Sequence, residues 1–210
     1  YAALVSCGVS TGVGAAINVA RVRPGDDVVV IGIGGVGVSA LVGSVIAGAG
    51  RIIAVDLQES KRAVALEFGA TQFVNAGTDD VLAAVKAATG GRGVDQVLLT
   101  ADKIVAPLYP LAVDCLGPGG VVVQVGTPDV SLDHIPVPPY ALLRKQLAIT
   151  GSVYGGMDTA TDSLRWLDLY RAGRLPLDRF VTRTYALDDI NQAFSDLAEG
   201  RNIRGVVVFD

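Results

Sequence analysis

The sequence is poor in residue types that mark several classes of protein. Its two cysteines, Cys7 and Cys115, stand far apart, so they predict no disulfide framework and fit a reducing, cytoplasmic compartment. The 17 Lys and Arg against 21 Asp and Glu give a net charge of −4 without a basic cluster, so neither nucleic acid nor an anionic membrane is expected as a partner. The single histidine, His134, lies in a proline-rich loop, where we expect it at the surface rather than in catalysis.

The sequence also lacks a signal peptide and an initiator methionine, and it opens abruptly on Tyr1. These absences predict a piece of something longer. A length of 210 residues suits one large domain, or one domain plus a fragment of another. Half of the residues are hydrophobic, which is typical of parallel sheets covered on both faces, although part of that apolar surface could be covered by something outside this chain.

The most informative stretch runs from Val28 to Asp56. A run of β-branched residues predicts a buried strand and leads into a G-x-G-x-x-G motif that begins at Gly32, followed by a helix of small residues. Gly32 allows the tight turn, Gly34 lets the backbone approach a pyrophosphate, and Gly37 lets helix and strand pack closely. Asp56 ends the next strand, close to the spacing of about 20 residues at which an acid binds the adenosine ribose. The stretch therefore predicts a dinucleotide site, with the phosphates at the helix N-terminus.

Two plainer interpretations compete for this stretch. One is a glycine-rich turn that only packs a helix on a sheet. The other is a membrane span, because residues 28–50 are 23 residues without a charge. Seven glycines in that segment disfavour a continuous helix, so we reject the span.

Strands and helices alternate along the chain as far as Tyr154. We expect helices at about 10–22, 60–68 and 79–88, a helix over 103–116 that is kinked or broken by two prolines, and a loop over 126–139. Six predicted strands give an α/β fold, a doubly wound parallel Rossmann sheet of order 3-2-1-4-5-6. Cofactors lie across the carboxyl ends of such strands. That rule places in the crevice Thr100, Val125, Gly126, Thr127 and Val153.

The texture of the sequence changes after Tyr154. Gly155-Gly156 is a plausible hinge, followed by a helix over 162–172, a strand over 182–186, a helix capped by Asp188 and a last strand over 205–209. This tail has no complete core of its own and is expected to need a partner surface. We therefore divide the chain into a dinucleotide-binding domain, residues 1–154, and a C-terminal segment, residues 155–210.

Five segments together resemble the zinc-containing medium-chain alcohol dehydrogenases: SCGVSTGVGAA, the G-x-G-x-x-G motif, AVD, EFGAT and GRNIRGVVVF. The resemblance runs over essentially the whole chain, but it covers only the cofactor half of that family's subunit and its C-terminal return segment. It implies that a GroES-like catalytic domain, which supplies most of the active site, is missing here. No catalytic residue is therefore assigned to this chain.

The resemblance also implies roles for individual residues. Cys7 would be the third protein ligand of the catalytic zinc, with a cysteine and a histidine from the missing domain. Lys61 and Arg204 would reach the ribose and the pyrophosphate, although either could be a solvated surface charge. The sequence departs from the family after the fourth strand, where Leu99 and Asp102 replace a usual acid and glycine. The full set of expected cofactor contacts is Thr11, Gly32, Gly34, Gly35, Val36, Gly37, Asp56, Lys61, Thr100, Val125, Gly126, Thr127, Val153 and Arg204.

These features predict the NAD(H)-binding portion of a zinc-dependent dehydrogenase for a small alcohol or aldehyde. Asp56 favours NAD because it would repel a 2′-phosphate, and the chain alone should bind cofactor without turnover. Three alternatives stay open: a zinc-independent quinone or enoyl reductase of the same superfamily, a non-enzymatic NAD(H)-sensing module, and a methyltransferase. The sixth strand, predicted over 147–153, would be an apolar sheet edge through which a homo-oligomer forms.

Overall fold

A six-stranded parallel sheet forms the centre of the protein. The computed structural model describes residues 2–209. The strands of the sheet are β1 Asp27–Ile31, β2 Arg51–Asp56, β3 Gln72–Asn75, β4 Val94–Leu99, β5 Leu116–Gln124 and β6 Ala148–Gly151. Neighbouring strands run in the order β3-β2-β1-β4-β5-β6 and all pairs are parallel, which confirms the predicted topology.

Helices cover both faces of this sheet. They are α1 Gly8–Gly14, α2 Gly35–Ala47, α3 Lys61–Glu67, α4 Val81–Ala88, α5 Leu108–Cys115 and α6 Pro139–Lys145. Helices α1, α2 and α3 pack on one face and α4 and α5 on the other, so the core has two layers. Alternate residues of β1 pack into opposite layers. Val28 and Val30 lie in the layer with α1, α2 and α3, and Val29 and Ile31 lie in the layer with α4 and α5. This explains the uninterrupted apolar run of the strand.

Helix α1 begins earlier than its sequence suggested. It starts at Gly8 and continues as a π-helical turn over Ala15–Val19, so the predicted cap at Ser10 or Thr11 is wrong. The Ser10 hydroxyl instead donates a hydrogen bond to the Val5 carbonyl oxygen at 2.5 Å. The glycine in the middle of α1 serves packing, because a Cβ on Gly12 would lie 2.3 Å from the Val36 carbonyl oxygen of α2.

The segment with two prolines is broken rather than kinked. Residues Lys103–Ile104 form a two-residue parallel ladder with Thr127–Pro128, and α5 begins only after Pro107. Pro110 lies in the first turn of α5, where its missing N–H leaves no helical hydrogen bond unmade. Most of the predicted loop over 126–139 is irregular, but sequence reasoning missed α6, whose residues are all exposed or half-buried.

The C-terminal tail begins with a tight turn. Gly155 and Gly156 have φ values of +66° and +60°, and a Cβ on Gly155 would lie 2.5 Å from the Ser10 carbonyl oxygen. The predicted cap at Asp188 is wrong, because that residue lies in a 3₁₀ turn and no side chain caps the next helix. The tail elements are α7 Thr159–Arg171, α8 Leu177–Phe180, β7 Val181–Tyr185, α9 Ile190–Ala198 and β8 Arg204–Val207, with β7 and β8 paired in parallel.

The tail is packed unevenly against the sheet domain. Trp166, Leu177 and Phe180 are fully buried in the same core layer as α1 and α2, which the sequence did not suggest. In contrast, the apolar stripe of α9 leaves Phe194 64% and Leu197 54% exposed. The apolar stripe of α9 is therefore largely uncovered among the described residues.

The uncharged segment 28–50 is divided between β1, the glycine turn and the 13-residue α2. Among residues 2–209, no helix combines the length and the apolar character that crossing a bilayer requires.

Candidate cofactor site

The turn after β1 depends on two of its glycines. Gly32 has φ +98°, and a Cβ there would lie 2.5 Å from the backbone of Ala101. A Cβ on Gly37 would lie 1.9 Å from the Gly32 carbonyl oxygen, so α2 approaches the turn too closely for a side chain. Gly34, by contrast, has nothing within 4 Å of its would-be Cβ. Backbone atoms therefore crowd Gly32 and Gly37, whereas the space next to Gly34, at the N-terminus of α2, is open.

Thr100 supports this turn from beneath. Its hydroxyl lies 2.7 Å from the Gly32 carbonyl oxygen and 3.1 Å from that of Ile31, and the residue is 6% exposed. The structure thus places Thr100 under the turn. Two other expected contacts, Val125 and Gly126, bond through their backbone N–H groups to the Leu99 carbonyl oxygen at 2.9 Å.

Asp56 lies at the end of β2, beside the glycine turn. One carboxylate oxygen accepts a hydrogen bond from the Ile33 N–H at 2.7 Å, and the other accepts one from the Gln58 N–H at 2.9 Å. These bonds hold the carboxylate in place. Since an ionised carboxylate offers about four lone-pair sites, two acceptor positions are left for a ligand.

The tail closes one side of the cleft above the turn. The Lys61 Nζ atom, at the start of α3, donates a hydrogen bond to the Gly200 carbonyl oxygen at 3.2 Å. A cleft of about 150 Å³ lies between the glycine turn, α3 and the tail. Its lining includes Ile33, Gly34, Lys61, Gly200, Asn202 and Ile203.

A larger cavity of about 610 Å³ lies elsewhere, lined in part by Asp26, Asp95 and Gln96 where β1 and β4 begin. Ligands of open parallel sheets bind at the carboxyl ends of the strands, so the smaller cleft is the candidate site.

Arg204, the first residue of β8, carries its guanidinium to the N-terminus of α2. A Cβ on Gly35 would lie 2.5 Å from its Cζ atom, and one on Gly8 would lie 1.6 Å from Nη2. Nη2 is buried and has no hydrogen-bond partner among the described residues. Burial lowers the pKa of this guanidinium, and an electrostatic interaction with Cys7 partly offsets that effect. A guanidinium whose buried Nη2 atom lacks a partner, beside a helix N-terminus, is an anion-binding arrangement.

Cys7 is an exposed free thiol immediately before α1, and the half-buried Thr11 follows one helical turn later. Within residues 2–209, no group of three or more His, Cys, Asp or Glu side chains could hold a metal ion. Cys7 alone is one thiol donor, short of the three protein ligands of a catalytic zinc site. His134 lies exposed beside Asp133, and Val153, after β6, is 81% exposed.

Sequence reasoning missed a buried acid in the tail. Asp196 on α9 is fully buried and accepts hydrogen bonds from Tyr185 at 2.7 Å, Gln192 at 2.7 Å, Arg183 at 2.5 Å and Arg201 at 2.8 Å. The Tyr185 hydroxyl, first among these donors, holds the pKa of Asp196 far below its usual range. No sequence pattern announced this cluster, because its members come from two elements and a turn.

Known proteins match this chain over nearly its whole length. The family model for zinc-binding dehydrogenases matches residues 35–168. The chain is 40% identical over 209 residues to the NDMA-dependent alcohol dehydrogenase of Amycolatopsis methanolica, which covers 99% of this chain and 56% of that protein. It is 38% identical over 206 residues to alcohol dehydrogenase B of Mycobacterium tuberculosis, covering 98% of this chain and 55% of that protein. The chain thus spans about half the length of these curated relatives.

A solved structure agrees with these matches. The crystal structure of benzyl alcohol dehydrogenase from Acinetobacter calcoaceticus superposes with a TM-score of 0.92 at 34% identity. The superposition covers 98% of this chain and 56% of that one. The chain therefore belongs to the zinc-binding dehydrogenase family, and it is a cofactor-binding domain of the alcohol dehydrogenase type.

Proposed function

We propose that this chain is the NAD(H)-binding portion of a zinc-dependent dehydrogenase that transfers hydride between an alcohol or aldehyde and NAD. The observation that carries the proposal is the guanidinium of Arg204, whose buried Nη2 atom lacks a partner at the N-terminus of α2. The alcohol dehydrogenase relatives support the reaction class. In the full-length protein, residues 155–210 would return to a GroES-like catalytic domain.

The glycine turn and Arg204 would bind the pyrophosphate of the cofactor. Free N–H groups of the first turn of α2 would donate to its oxygens, and Gly34 leaves room for them to approach. The two unused acceptor positions of Asp56 would take the adenosine ribose hydroxyls, with Lys61 nearby. A 2′-phosphate would place a second negative charge against Asp56, so we expect NAD to bind more tightly than NADP.

The nicotinamide half of the cofactor would cross the carboxyl ends of β4, β5 and β6. Contacts proposed there are Thr127 and Val153, which are exposed, and Val125 and Gly126, which are half-buried. Thr11 would face the nicotinamide from α1. The chain's own part in hydride transfer would therefore be to bind and orient NAD.

Cys7 would provide one thiolate ligand for a catalytic zinc. Its exposure leaves the sulfur accessible to ligands from outside the described residues. When bound, the zinc would act as a Lewis acid that favours the alkoxide of the alcohol. We expect no alcohol oxidation by the 210-residue chain alone, because a single thiol does not hold a catalytic zinc.

Calorimetric titration with NAD and NADP tests the cofactor assignment. We expect NAD to bind more tightly, and an Arg204→Gln variant to lose most of that affinity. Equal affinity for both cofactors would overturn the NAD assignment, and tighter binding of S-adenosylmethionine would indicate a methyltransferase instead. Zinc analysis of the full-length protein separates the dehydrogenase from a zinc-independent quinone or enoyl reductase. An NAD(H)-sensing module would bind NAD without any alcohol oxidation by the full-length protein.

We also propose that a second copy pairs with β6. Within the described part of the chain, this strand pairs only with β5 and lies at the edge of the sheet. Unpaired backbone groups at such an edge favour strand pairing between copies. Sedimentation that finds only monomer would contradict the pairing.

A further inference from the structure

Two buried polar atoms near the end of the tail have no hydrogen-bond partner among the described residues, and they belong to side chains two positions apart in sequence. One is Arg204 Nη2 and the other is the side-chain oxygen Oδ1 of Asn202, a residue only 8% exposed. Asn202 also lines the cleft of about 150 Å³, together with Gly34 and Lys61. Buried side-chain acceptors are rarely left unpaired in folded proteins, so an unpaired one in a cleft indicates a missing donor.

The hydrogen-bond network fixes which end of the Asn202 amide is free. An ionised carboxylate only accepts, so the Tyr185 hydroxyl must donate to Asp196, 2.7 Å away. The tyrosine oxygen can then only accept, and the atom of Asn202 that lies 3.0 Å from it must be the NH₂ group. The carbonyl oxygen of Asn202 is therefore the atom left without a partner.

Asp196 is the fixed point of this network. It is buried and holds side chains from β7, from α9 itself and from the turn before β8. The backbone N–H of Arg201 also donates to the Asp196 carbonyl oxygen, at 2.8 Å. Both the carboxylate and the backbone carbonyl of Asp196 thus fix the turn that carries Asn202 and leads to Arg204.

The two atoms without partners need different kinds of hydrogen-bonding group. The Arg204 guanidinium requires an anion, whereas the Asn202 carbonyl requires a hydrogen-bond donor. Adenosine diphosphate carries both, its phosphates and, on its base, an amino donor that is not used by the Asp56 carboxylate. We propose that Asn202 is a further cofactor-binding residue whose carbonyl oxygen accepts a hydrogen bond from the adenosine half, with Tyr185 and Asp196 as positioning residues for its amide. This inference rests on the proposed function and refines the same site.

Calorimetry of the 210-residue chain with ADP and with inorganic pyrophosphate tests the assignment. One lost hydrogen bond predicts that Asn202→Ala weakens ADP binding about 3- to 10-fold and leaves pyrophosphate binding unchanged. Arg204→Gln should weaken both ligands, because the guanidinium would bind the phosphates. Tyr185→Phe keeps the ring but frees the amide to rotate, so it should weaken ADP alone, by a smaller factor. It also serves as the second variant if Asn202→Ala does not fold.

The possible outcomes distinguish a failure of this inference from a failure of the proposed function. An equal loss for ADP and pyrophosphate in Asn202→Ala would mean that Asn202 only shapes the backbone of Arg204, and would overturn the proposal. Unchanged ADP affinity would also overturn it, while failure of the unaltered chain to bind ADP would defeat the proposed function itself. With inosine diphosphate, which lacks the adenine amino group, Asn202→Ala should have no effect, whereas binding of 2′-deoxy-ADP should remain sensitive to it. Full sensitivity of inosine diphosphate binding to Asn202→Ala would refute a contact to the amino group.

Discussion

Two glycines of the same turn should respond in opposite ways to the same added methyl group. In Gly37→Ala, the new Cβ would lie 1.9 Å from the Gly32 carbonyl oxygen and 3.1 Å from Thr100 Oγ1. The nearest obstacle is backbone, which cannot rotate away as a side chain can, so α2 or the turn must move. Overpacking of this kind costs about 1–3 kcal/mol of unfolding free energy.

Gly34→Ala is the matched control, because nothing lies within 4 Å of its added Cβ and its φ of −81° suits any residue. Reduced freedom of the unfolded chain stabilises such a substitution by about 0.4–1 kcal/mol. The poorer N-cap preference of alanine relative to glycine offsets a similar amount, so we expect a net change within about 0.5 kcal/mol. The methyl group would nevertheless fill the space where the pyrophosphate should approach. We expect NAD affinity to fall at least tenfold, or about 1.4 kcal/mol.

Urea unfolding followed by circular dichroism gives the stability of both variants, and calorimetry with NAD gives their affinity. We expect Gly37→Ala to lose stability, and Gly34→Ala to keep its stability but lose NAD affinity. If Gly34→Ala binds NAD as tightly as the unaltered chain, the open space above the turn does not hold the pyrophosphate. If the two variants are equally stable, the close approach of α2 to the turn is not what requires a glycine at position 37.

Three further predictions follow from single residues. Asp56→Asn removes the charge that opposes a 2′-phosphate, so the ratio of NAD to NADP affinity in titrations should fall, and an unchanged ratio would place the cofactor's ribose elsewhere. Because the pKa of Asp196 is lowered in the folded state, its contribution to folding stability is present above the unfolded pKa of about 3.9 and is lost as the pH falls below that value. Asp196→Asn should therefore make stability fall less steeply with decreasing pH. A fall as steep as in the unaltered chain would argue against that role. Burial raises the pKa of Cys115 to about 12, whereas Cys7 is exposed, so only Cys7 should react rapidly with a thiol reagent at pH 8. Rapid reaction of both thiols would contradict this.

The sheet and the glycine turn could be predicted because local rules specify them. A β-branched run such as Val28–Ile31 forms a buried strand wherever both faces are covered, and the outer glycines of the motif are required by their own backbone contacts. The start of α1 could not be predicted from its capping residues, because a bond from Ser10 to Val5 competes with the cap. The buried position of Asp196 was equally hidden, since a lone acid on a helix normally faces solvent. Its burial depends on donors that meet only in the folded chain.

The tail both packs against the core and places Arg204 beside α2, and the free energies of these two roles are linked. Its first part is buried in the core through Trp166, Leu177 and Phe180, while its last strand delivers Arg204 to the N-terminus of α2. Burying an unpaired guanidinium is unfavourable, and that cost opposes the packing of the tail. A bound phosphate would remove the cost, so cofactor should bind the packed tail more tightly than a displaced one and stabilise it by mass action. Cofactor affinity in this domain is thus a property of the whole chain from Gly8 to β8, rather than of the glycine motif alone.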